Sequence, residues 1–377
     1  MGVYLIVFWL LALVALLGEL KLSKGARLAL LGLSYLLLVA FVGLRWETGN
    51  DWTDYYNYYL HLTSLRDQPD FELGYRILSL LIKDMGMPFA VFNLVYAAIY
   101  LGLIFLSFKY DDLDVSGWLV LQLYAPFLMG LMGTARQVMA MAICMFSVRY
   151  LLSKNWHKFL LCVAIATTFH VSALAFLIAW PIARFRLNLR RVWIIFAGLI
   201  LASALNLGNL AVRTAEEHLA ILKLADLESH LILEKESSAE QFNFASGAVA
   251  TILPTIERIS LLTLFILCFR FFTEESDKLY FKFFIFSIII VALLSGTVYV
   301  LAERVSLYFS IFQIYLIALL IRRIKAPPIG KLCCAALLIL SLARLWTGTH
   351  MTRPKIFIPY KGVFINQDVK RYPGWFQ

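Results

Sequence analysis

The feature that most limits what this chain can fold into is a recurring block of about 17–22 apolar residues with almost no charge. Folded as an α-helix, such a block is long enough to cross the roughly 30 Å of hydrocarbon in a bilayer. Of the 377 residues, 61% are hydrophobic and 15% are charged, whereas soluble domains are about 25% charged. One soluble core stops growing at roughly 250–300 residues. We therefore expect an all-α polytopic membrane protein, with residues 1–377 as a single integral membrane domain, and we exclude soluble enzymes, nucleic-acid binders and disulfide scaffolds.

Ten segments are predicted to span the membrane. They are 2–18, 27–44, 88–108, 117–132, 135–152, 192–208, 248–269, 280–300, 303–321 and 329–346. A further apolar segment, 157–183, is too long for one crossing and too short for two complete ones. Because it has a polar break at its middle, TTFHVS, we interpret it as a broken hairpin of two short helices that enters and leaves on one side.

The positions of Lys and Arg support the hairpin. The net charge of +10 is attributed to basic residues at the cytoplasmic ends of the spans. If 157–183 crossed the membrane once, the basic clusters at 184–191, 270–282 and 322–331 would all face outward, against the positive-inside rule. With the hairpin they face the cytoplasm, and both termini lie outside.

This topology leaves two large outer loops and an outer tail. The loops are 45–87 and 209–247, and the basic, proline-containing C-terminal tail is 347–377. Within the second loop, the apolar spacing over 211–233 predicts an amphipathic helix that lies on the membrane surface as a lid.

Four arginines are predicted to lie in the outer leaflet, where the positive-inside rule disfavours them. Arg45, Arg136 and Arg304 lie at the ends of predicted spans, and Arg258 lies within the span 248–269. Guanidinium groups bind phosphate oxygens bidentately and stay charged, so a shared diphosphate ligand would account for all four. The alternative is that each one snorkels to the interface or pairs with a nearby carboxylate, such as Glu47, Glu257 or Glu303.

Two of these arginines lie in a short internal echo. Residues 257–261 read ERISL and residues 303–307 read ERVSL, which differ by one methylene group. Either a shared role or chance accounts for a match this short.

Carboxylates and aromatic residues are concentrated after Arg45. Sugars offer hydroxyls to carboxylates and apolar faces to aromatic rings, so this combination suits a glycan. The sugar-binding candidates are Glu47, Tyr55, Glu72, Gln137 and Tyr308. An interfacial aromatic belt would account for some of the tyrosines, but it does not explain Glu47 or Asp51.

Asp51 and His170 are the candidate catalytic bases. His170 lies at the break of the hairpin and is the only histidine embedded in an apolar stretch. A neutral imidazole can act as a general base or position a hydroxyl, although a lone histidine of this kind is more often a satisfied core residue. The chain has no HExxH, Walker, GxSxG or dinucleotide motif and no CxxC or Cys/His ligand spacing, so no metal or cofactor is expected.

These candidates fall in motifs that resemble EpsG-type, Wzy-like polysaccharide polymerases. The matching elements, in order, are RWETGNDWTDY (45–55), ELGY (72–75), RQVMA (136–140), FHVSA (169–173), RVSLYF (304–309) and IPY (358–360). The echo at Arg258 has no counterpart that we can match to the family.

The resemblance implies a GT-C-like enzyme in the bacterial inner membrane whose site faces the periplasm or cell exterior. Its substrates would be undecaprenyl-diphosphate-linked oligosaccharides, which it would join into O-antigen or exopolysaccharide without a nucleotide sugar or metal. Arg136 and Arg304 would then hold the diphosphate, with Arg45 and Arg258 in support. A chain-length regulator is a candidate protein partner besides the bilayer, and no nucleic acid is expected.

Two other functions use the same lipid-linked substrates. A flippase or other transporter would favour charges spread through the membrane depth and a two-fold internal repeat, whereas here the charges crowd one face. An O-antigen ligase would usually carry its catalytic histidine in a large outer loop, whereas His170 lies in the hairpin.

Overall fold

The computed structural model describes residues 1–49, 51–67, 70–108, 116–204, 247–294, 299–324, 329–351 and 354–369. Within these ranges the chain is helical, apart from loops, turns and isolated β-bridges. The loop predicted at 209–247, including the proposed lid helix at 211–233, lies outside the described residues except for its last residue.

The α-helices of the described residues are numbered here in chain order. They are α1 (Gly2–Gly18), α2 (Lys24–Gly43), α3 (Trp52–His61), α4 (Leu73–Asp84), α5 (Phe89–Ser107), α6 (Ser116–Gly133), α7 (Ala135–Leu152), α8 (Trp156–Thr167), α9 (Ala179–Arg184), α10 (Leu189–Ala204), α11 (Gly247–Leu267), α12 (Glu275–Leu294), α13 (Tyr299–Ser310), α14 (Gln313–Arg323), α15 (Ile329–Met351) and α16 (Pro354–Phe357). Short 3-10 helices occupy Val171–Ile178 and Phe269–Phe271.

Five helices of the described residues are long and apolar enough to cross a membrane. They are Lys24–Gly43, Phe89–Ser107, Ala135–Leu152, Ala302–Arg323, which counts α13 and α14 together across the turn between them, and Gly330–His350. On the shorter apolar helix α1, Ile6, Trp9 and Leu13 expose their side chains, as lipid contact allows because lipid tails are equally apolar. These findings confirm an all-helical membrane protein, and the number of ten crossings stays a prediction.

The interruption predicted in segment 157–183 is present. Helix α8 ends at Thr167, the 3-10 helix begins at Val171, and α9 continues to Arg184. Helix α8 begins where Asn155 Oδ1 accepts a hydrogen bond from the Lys158 N–H at 3.2 Å, which caps one of the free amides of the first turn. The membrane side of this hairpin stays a prediction.

Two helices extend beyond the segments predicted from the sequence. The helix that contains most of the span expected at 280–300 begins at Glu275, because an acidic first turn favours a helix N-terminus although its charge lowers the local hydropathy. The segment expected to be tail from residue 347 is helical to Met351. Its polar side chains bond back to the helix, as Thr349 Oγ1 donates to the Leu345 carbonyl at 2.8 Å.

The chain divides into two compact units. Unit 1 comprises Met1–Leu174 and Ile317–Gln377, and unit 2 comprises Ala175–Leu316. In unit 1, α7 contacts α5 and α8, α2 contacts α5, and α6 contacts α1 and α15. The apolar window of α7 is 72% buried, so this helix lies in the interior of unit 1. In unit 2, α12 contacts α9, α10, α11 and α13.

Candidate functional site

The first motif segment, which follows α2, is joined to the C-terminal tail by backbone hydrogen bonds. The Trp46 N–H donates to the Lys361 carbonyl at 2.9 Å, and the Val363 N–H donates to the Leu44 carbonyl at 2.9 Å. Residues more than 300 positions apart are therefore paired like neighbouring strands, which fixes the register of this segment before α3 begins.

The middle of the same segment has an unusual backbone. Glu47 has a φ of +43° and Gly49 a φ of +115°, values that a residue with a β-carbon rarely adopts. A Cβ on Gly49 would lie 2.3 Å from the Met132 carbonyl oxygen at the end of α6. The Glu47 carboxylate accepts a hydrogen bond from Lys361 Nζ at 2.6 Å, with the two side chains 15% and 7% exposed. Glycine at position 49 thus allows the loop to pack against α6.

A chain of hydrogen bonds links the first motif to the next two. Tyr55 Oη donates to Asp51 Oδ2 at 3.3 Å, and the Arg136 backbone N–H donates to Tyr55 Oη at 3.5 Å. The Arg136 guanidinium donates to the Glu72 carboxylate through Nη1. Asp51, Tyr55, Glu72 and Arg136 come from three separate segments of the sequence and form one connected polar group.

Arg136 is held from several sides at the start of α7. Its guanidinium lies over the Phe71 ring at 4.6 Å and over the Tyr55 ring at 5.8 Å, and Nη1 also donates to the Asp70 carbonyl at 3.4 Å. The Arg136 and Glu72 side chains are 24% and 22% exposed. A cation that is fixed in place and still partly open to solvent can receive an anionic group of a ligand.

Burial changes the ionisation of the side chains on α3. The pKa of Tyr55 is raised above its usual value by burial first and by the Asp51 carboxylate second. Burial likewise raises the pKa of Tyr58 to about 12, and it raises the pKa of Asp54, an effect that Arg136 partly opposes. Tyr55 therefore keeps its proton at neutral pH and serves as the hydrogen-bond donor to Asp51.

Helix α4 is docked directly on the break between α8 and the following 3-10 helix. The Gly74 N–H donates to the Thr168 carbonyl at 2.7 Å. A Cβ on Gly74 would lie 2.5 Å from Thr168 Oγ1, 2.9 Å from that carbonyl oxygen and 3.1 Å from the Phe169 ring. The close approach requires glycine, and it fixes the segment that carries Glu72 against the segment that carries His170.

His170 is oriented by the serine two residues later. Its Nδ1 accepts a hydrogen bond from the Ser172 backbone N–H at 3.3 Å and lies 2.7 Å from Ser172 Oγ. Because a backbone N–H can only donate, Nδ1 must be the acceptor, so a neutral ring carries its proton on Nε2. His170 in this tautomer offers an N–H donor at Nε2.

Several other sequence candidates of unit 1 lie in its interior. Arg45 is 2% exposed and donates through Nη1 to the Val42 carbonyl at 2.8 Å. Tyr55 and Gln137 are also buried. Among the described residues, no hydrogen-bond partner is found for Arg45 Nε. These three side chains are therefore suited to positioning the partly exposed residues of the site, not to contacting a large ligand directly.

The rings that remain partly exposed are ones that the sequence analysis did not select. Trp52, Tyr58 and Tyr59 are buried in an aromatic core, whereas Trp46 and Phe71 are half-buried. The sequence did contain a signal for these two rings, since Trp46 directly follows Arg45 and Phe71 directly precedes Glu72. A position next to a charged motif residue was a better guide to a partly exposed ring here than the density of tyrosines.

The remaining candidates belong to unit 2. Arg258 Nη2 donates to both carboxylate oxygens of Glu303 at 2.7 and 2.8 Å. The two halves of the sequence echo therefore pair with each other, and for Arg258 the carboxylate pairing considered as the alternative is present. Arg304 is exposed and Tyr308 is buried, and both belong to α13.

Comparison with known protein families identifies the family to which the chain belongs. A family model described as the EpsG family matches residues 28–361. The chain belongs to the EpsG family. This membership makes it a polysaccharide polymerase-type membrane protein of a glycosyltransferase-like class. Neither curated proteins nor solved structures give a match.

The matched region of this EpsG-family chain runs from within α2 to Lys361. It therefore includes the connected polar group of unit 1 and the tail residue that pairs with Glu47. In the part of the chain that the structure describes, no three His, Cys, Asp or Glu side chains are grouped as a metal ion would require.

Proposed function

We propose that this chain joins undecaprenyl-diphosphate-linked oligosaccharide repeats into O-antigen or exopolysaccharide at the outer face of the bacterial inner membrane. Family membership supports the polymerase class. One structural observation carries the assignment of the site: four motif segments are physically joined in unit 1. Hydrogen bonds connect Asp51, Tyr55, Arg136 and Glu72, and Gly74 connects this group to the His170 segment.

The reaction exchanges the bond between the donor glycan and its lipid diphosphate for a glycosidic bond. The acceptor hydroxyl oxygen attacks the anomeric carbon of the donor glycan, and the bond from that carbon to the diphosphate breaks. The electron pair leaves with the lipid diphosphate, and the hydroxyl proton passes to a base. Arg136 stabilises the charge that develops on the leaving diphosphate. The sequence-based roles of Arg304 as a second guanidinium for the diphosphate, and of Arg45 and Arg258 in support, stay predictions.

Asp51 is the better supported of the two candidate bases. Its carboxylate can accept a proton, and Tyr55 orients it. The Nδ1 of His170 is occupied as an acceptor by Ser172, so the ring presents a donor at Nε2 instead. We assign His170 to donating a hydrogen bond to a substrate oxygen. Glu47 and Glu72 accept sugar hydroxyls.

Tyr55, Gln137 and Tyr308 keep the sequence-based role of orienting the sugars. Because all three are buried, they would do so by holding the groups that contact the glycan. The bilayer supplies the lipid-linked substrate, and a chain-length regulator stays a candidate partner.

The test is polymerisation by the full chain in nanodiscs supplied with the lipid-linked repeat of the producing cell, with glycans resolved on a gel. Wild type should form a ladder, and Arg136→Ala should lose it. Arg149→Ala is the matched control because Arg149 lies at the opposite end of the same helix, on the Phe146 ring. Arg304→Ala tests the second guanidinium in the same assay.

Wild-type protein that binds its native repeat and forms no ladder would refute the polymerase function, and lipid transport would be the next function to test. A ladder that survives in Arg136→Ala would refute the role of this arginine.

The roles of Asp51 and His170 are separated by substitutions that keep hydrogen bonding. Asp51→Asn removes the proton acceptor and should abolish the ladder. His170→Gln keeps an N–H donor without a titrating ring, so it should retain part of the activity. Activity retained in Asp51→Asn and abolished in His170→Gln would reverse the assignment.

A further inference from the structure

A cavity of about 310 Å³ lies between the first motif segment and the C-terminal tail, both in unit 1. The residues that line it are Trp46, Lys361, Gly362, Val363 and Gln367. Its volume is at the lower end of the roughly 300–1,000 Å³ that ligand pockets occupy. The cavity is therefore large enough for one small ring and too small for a long chain.

We propose that this cavity is a subsite for one sugar ring of the glycan. The inference rests on the polymerase function proposed above, and it assigns binding roles to Trp46, Lys361 and Gln367, which the reaction scheme does not use. It also assigns the C-terminal tail to the binding site.

Trp46 supplies a fixed aromatic wall. Its ring packs edge-on against Trp52, with centroids 4.8 Å apart, and against Tyr56, with centroids 5.5 Å apart. Both partners lie on α3, the helix that begins directly after Asp51. A half-buried indole can stack against the C–H face of a pyranose. The stacking surface thus packs against the helix that carries Tyr55 and begins directly after the candidate base Asp51.

The charges around the cavity favour a neutral ligand. The Lys361 ammonium donates to Glu47 Oε2 at 2.6 Å and to the Val369 carbonyl at 2.9 Å. A paired ammonium and carboxylate together carry no net charge, so the cavity offers little attraction to a phosphate. Sugar hydroxyls carry no charge, so a cavity whose Lys361 is neutralised in this way suits a sugar better than a phosphate.

The tail contributes a further polar group and a rigid frame. The Gln367 side chain is exposed, and its amide donates one hydrogen bond to the Val363 carbonyl. That bond uses one of its two N–H donors. The backbone hydrogen bonds of Trp46 and Val363 hold the two walls in register. A site formed in advance loses little entropy when a ligand binds.

The experiment measures binding separately from polymerisation. The full chain in nanodiscs is titrated with soluble oligosaccharides that carry neither lipid nor diphosphate, and binding is followed by saturation-transfer NMR. One probe is a single repeat and the other contains several repeats. Gln367→Leu should weaken binding about tenfold, the effect of losing one hydrogen bond. Trp46→Phe should also weaken it, because the smaller ring covers less of the sugar.

Asp368→Leu is the matched control, because Asp368 is the exposed neighbour of Gln367 and does not line the cavity. Its binding should equal that of wild type. Tighter binding of the single repeat would identify the acceptor as the occupant, and tighter binding of the longer probe would identify the growing chain. Inorganic phosphate, added as a competitor, should not displace either probe.

Three results would overturn the proposal: no binding by wild type, displacement by phosphate, or binding that is unchanged in either Gln367→Leu or Trp46→Phe. The polymerase function is judged separately by the gel ladder. A wild-type ladder with unaffected binding in the variants would remove the subsite alone. Binding that changes as expected, without any ladder from wild type, would keep the subsite and remove the polymerase function.

Discussion

The contact between Gly74 and Thr168 provides the sharpest test of how the site is assembled. Gly74→Ala adds one methyl group in the first turn of α4, and that methyl carbon would lie 2.5 Å from Thr168 Oγ1 and 2.9 Å from the Thr168 carbonyl oxygen. Ordinary contact begins at 3.4 Å. Even if the Thr168 hydroxyl turns aside, the two backbone segments must therefore separate by about half an ångström. The segment carrying His170 would then move away from the segment carrying Glu72.

The expected free-energy cost follows from three contributions. Stretching the 2.7 Å hydrogen bond from Gly74 to Thr168 costs about 1 kcal/mol, and overpacking costs about 1–3 kcal/mol. Replacing glycine by alanine within a helix stabilises the folded state by about 1 kcal/mol, which offsets part of this cost. The net destabilisation is therefore about 1–3 kcal/mol. A displacement of this size at a catalytic site can lower the rate about 10–100-fold.

The assay compares Gly74→Ala with Gly102→Ala, using thermal unfolding and the rate of glycan ladder formation. Gly102 also lies inside a helix, but its added Cβ would meet nothing closer than 3.6 Å. The control should therefore be as stable as wild type or more stable, and fully active. If Gly74→Ala polymerises as fast as Gly102→Ala, the docking of α4 on Thr168 does not position the site.

Three further predictions concern unit 1. Hydrogen bonds from the same turn, the largest effect coming from the Thr63 hydroxyl, lower the pKa of Asp67 to about 2 from 3.8. Their stabilisation is present above about pH 4 and is lost as the pH falls towards 2, so the amide protection of the turn should fall over that range. In Asp67→Asn, whose neutral amide oxygen is a weaker acceptor, the protection should be lower and independent of pH. Lys361→Met should lower the free energy of unfolding by about 2–3 kcal/mol, and adding Glu47→Gln should restore part of it; no restoration would contradict the pairing. Tyr55→Phe keeps the packing but removes the hydroxyl link to α7, so it should slow ladder formation about tenfold while lowering the free energy of unfolding by at most about 1 kcal/mol. Ladder formation at the wild-type rate in this variant would contradict a positioning role for the link.

The helices were largely predictable because their signal is local. Apolar blocks such as 2–18 and 135–152 coincide with α1 and α7, since one long run of side chains is enough to specify a spanning helix. Apolar runs did not predict the ends of helices that contain polar residues. One such end is the charged first turn at Glu275, and another is the last turns of α15, where Thr349 bonds back to its own helix.

The site was predictable only in part, because its contacts join distant segments. Motif order pointed to Asp51, Glu72 and Arg136, yet nothing local indicates that the Arg136 amide meets Tyr55 Oη or that Lys361 reaches Glu47 across 314 positions. Those contacts depend on the path of the chain through unit 1. Periodicity describes one element at a time and contains no information about that path.

The structure also separates two kinds of motif residue that look alike in sequence. Gly49 and Gly74 allow backbones to meet, and Arg45 is buried with a bond to the Val42 carbonyl at the end of α2. Substitutions at these positions would therefore remove activity by displacing the site. Arg136 is partly open and can contact a ligand directly. Loss of the ladder alone therefore does not identify a diphosphate-binding arginine. Substitution of Arg45 should lower the thermal stability together with the activity, whereas substitution of Arg136 should lower the activity far more than the stability.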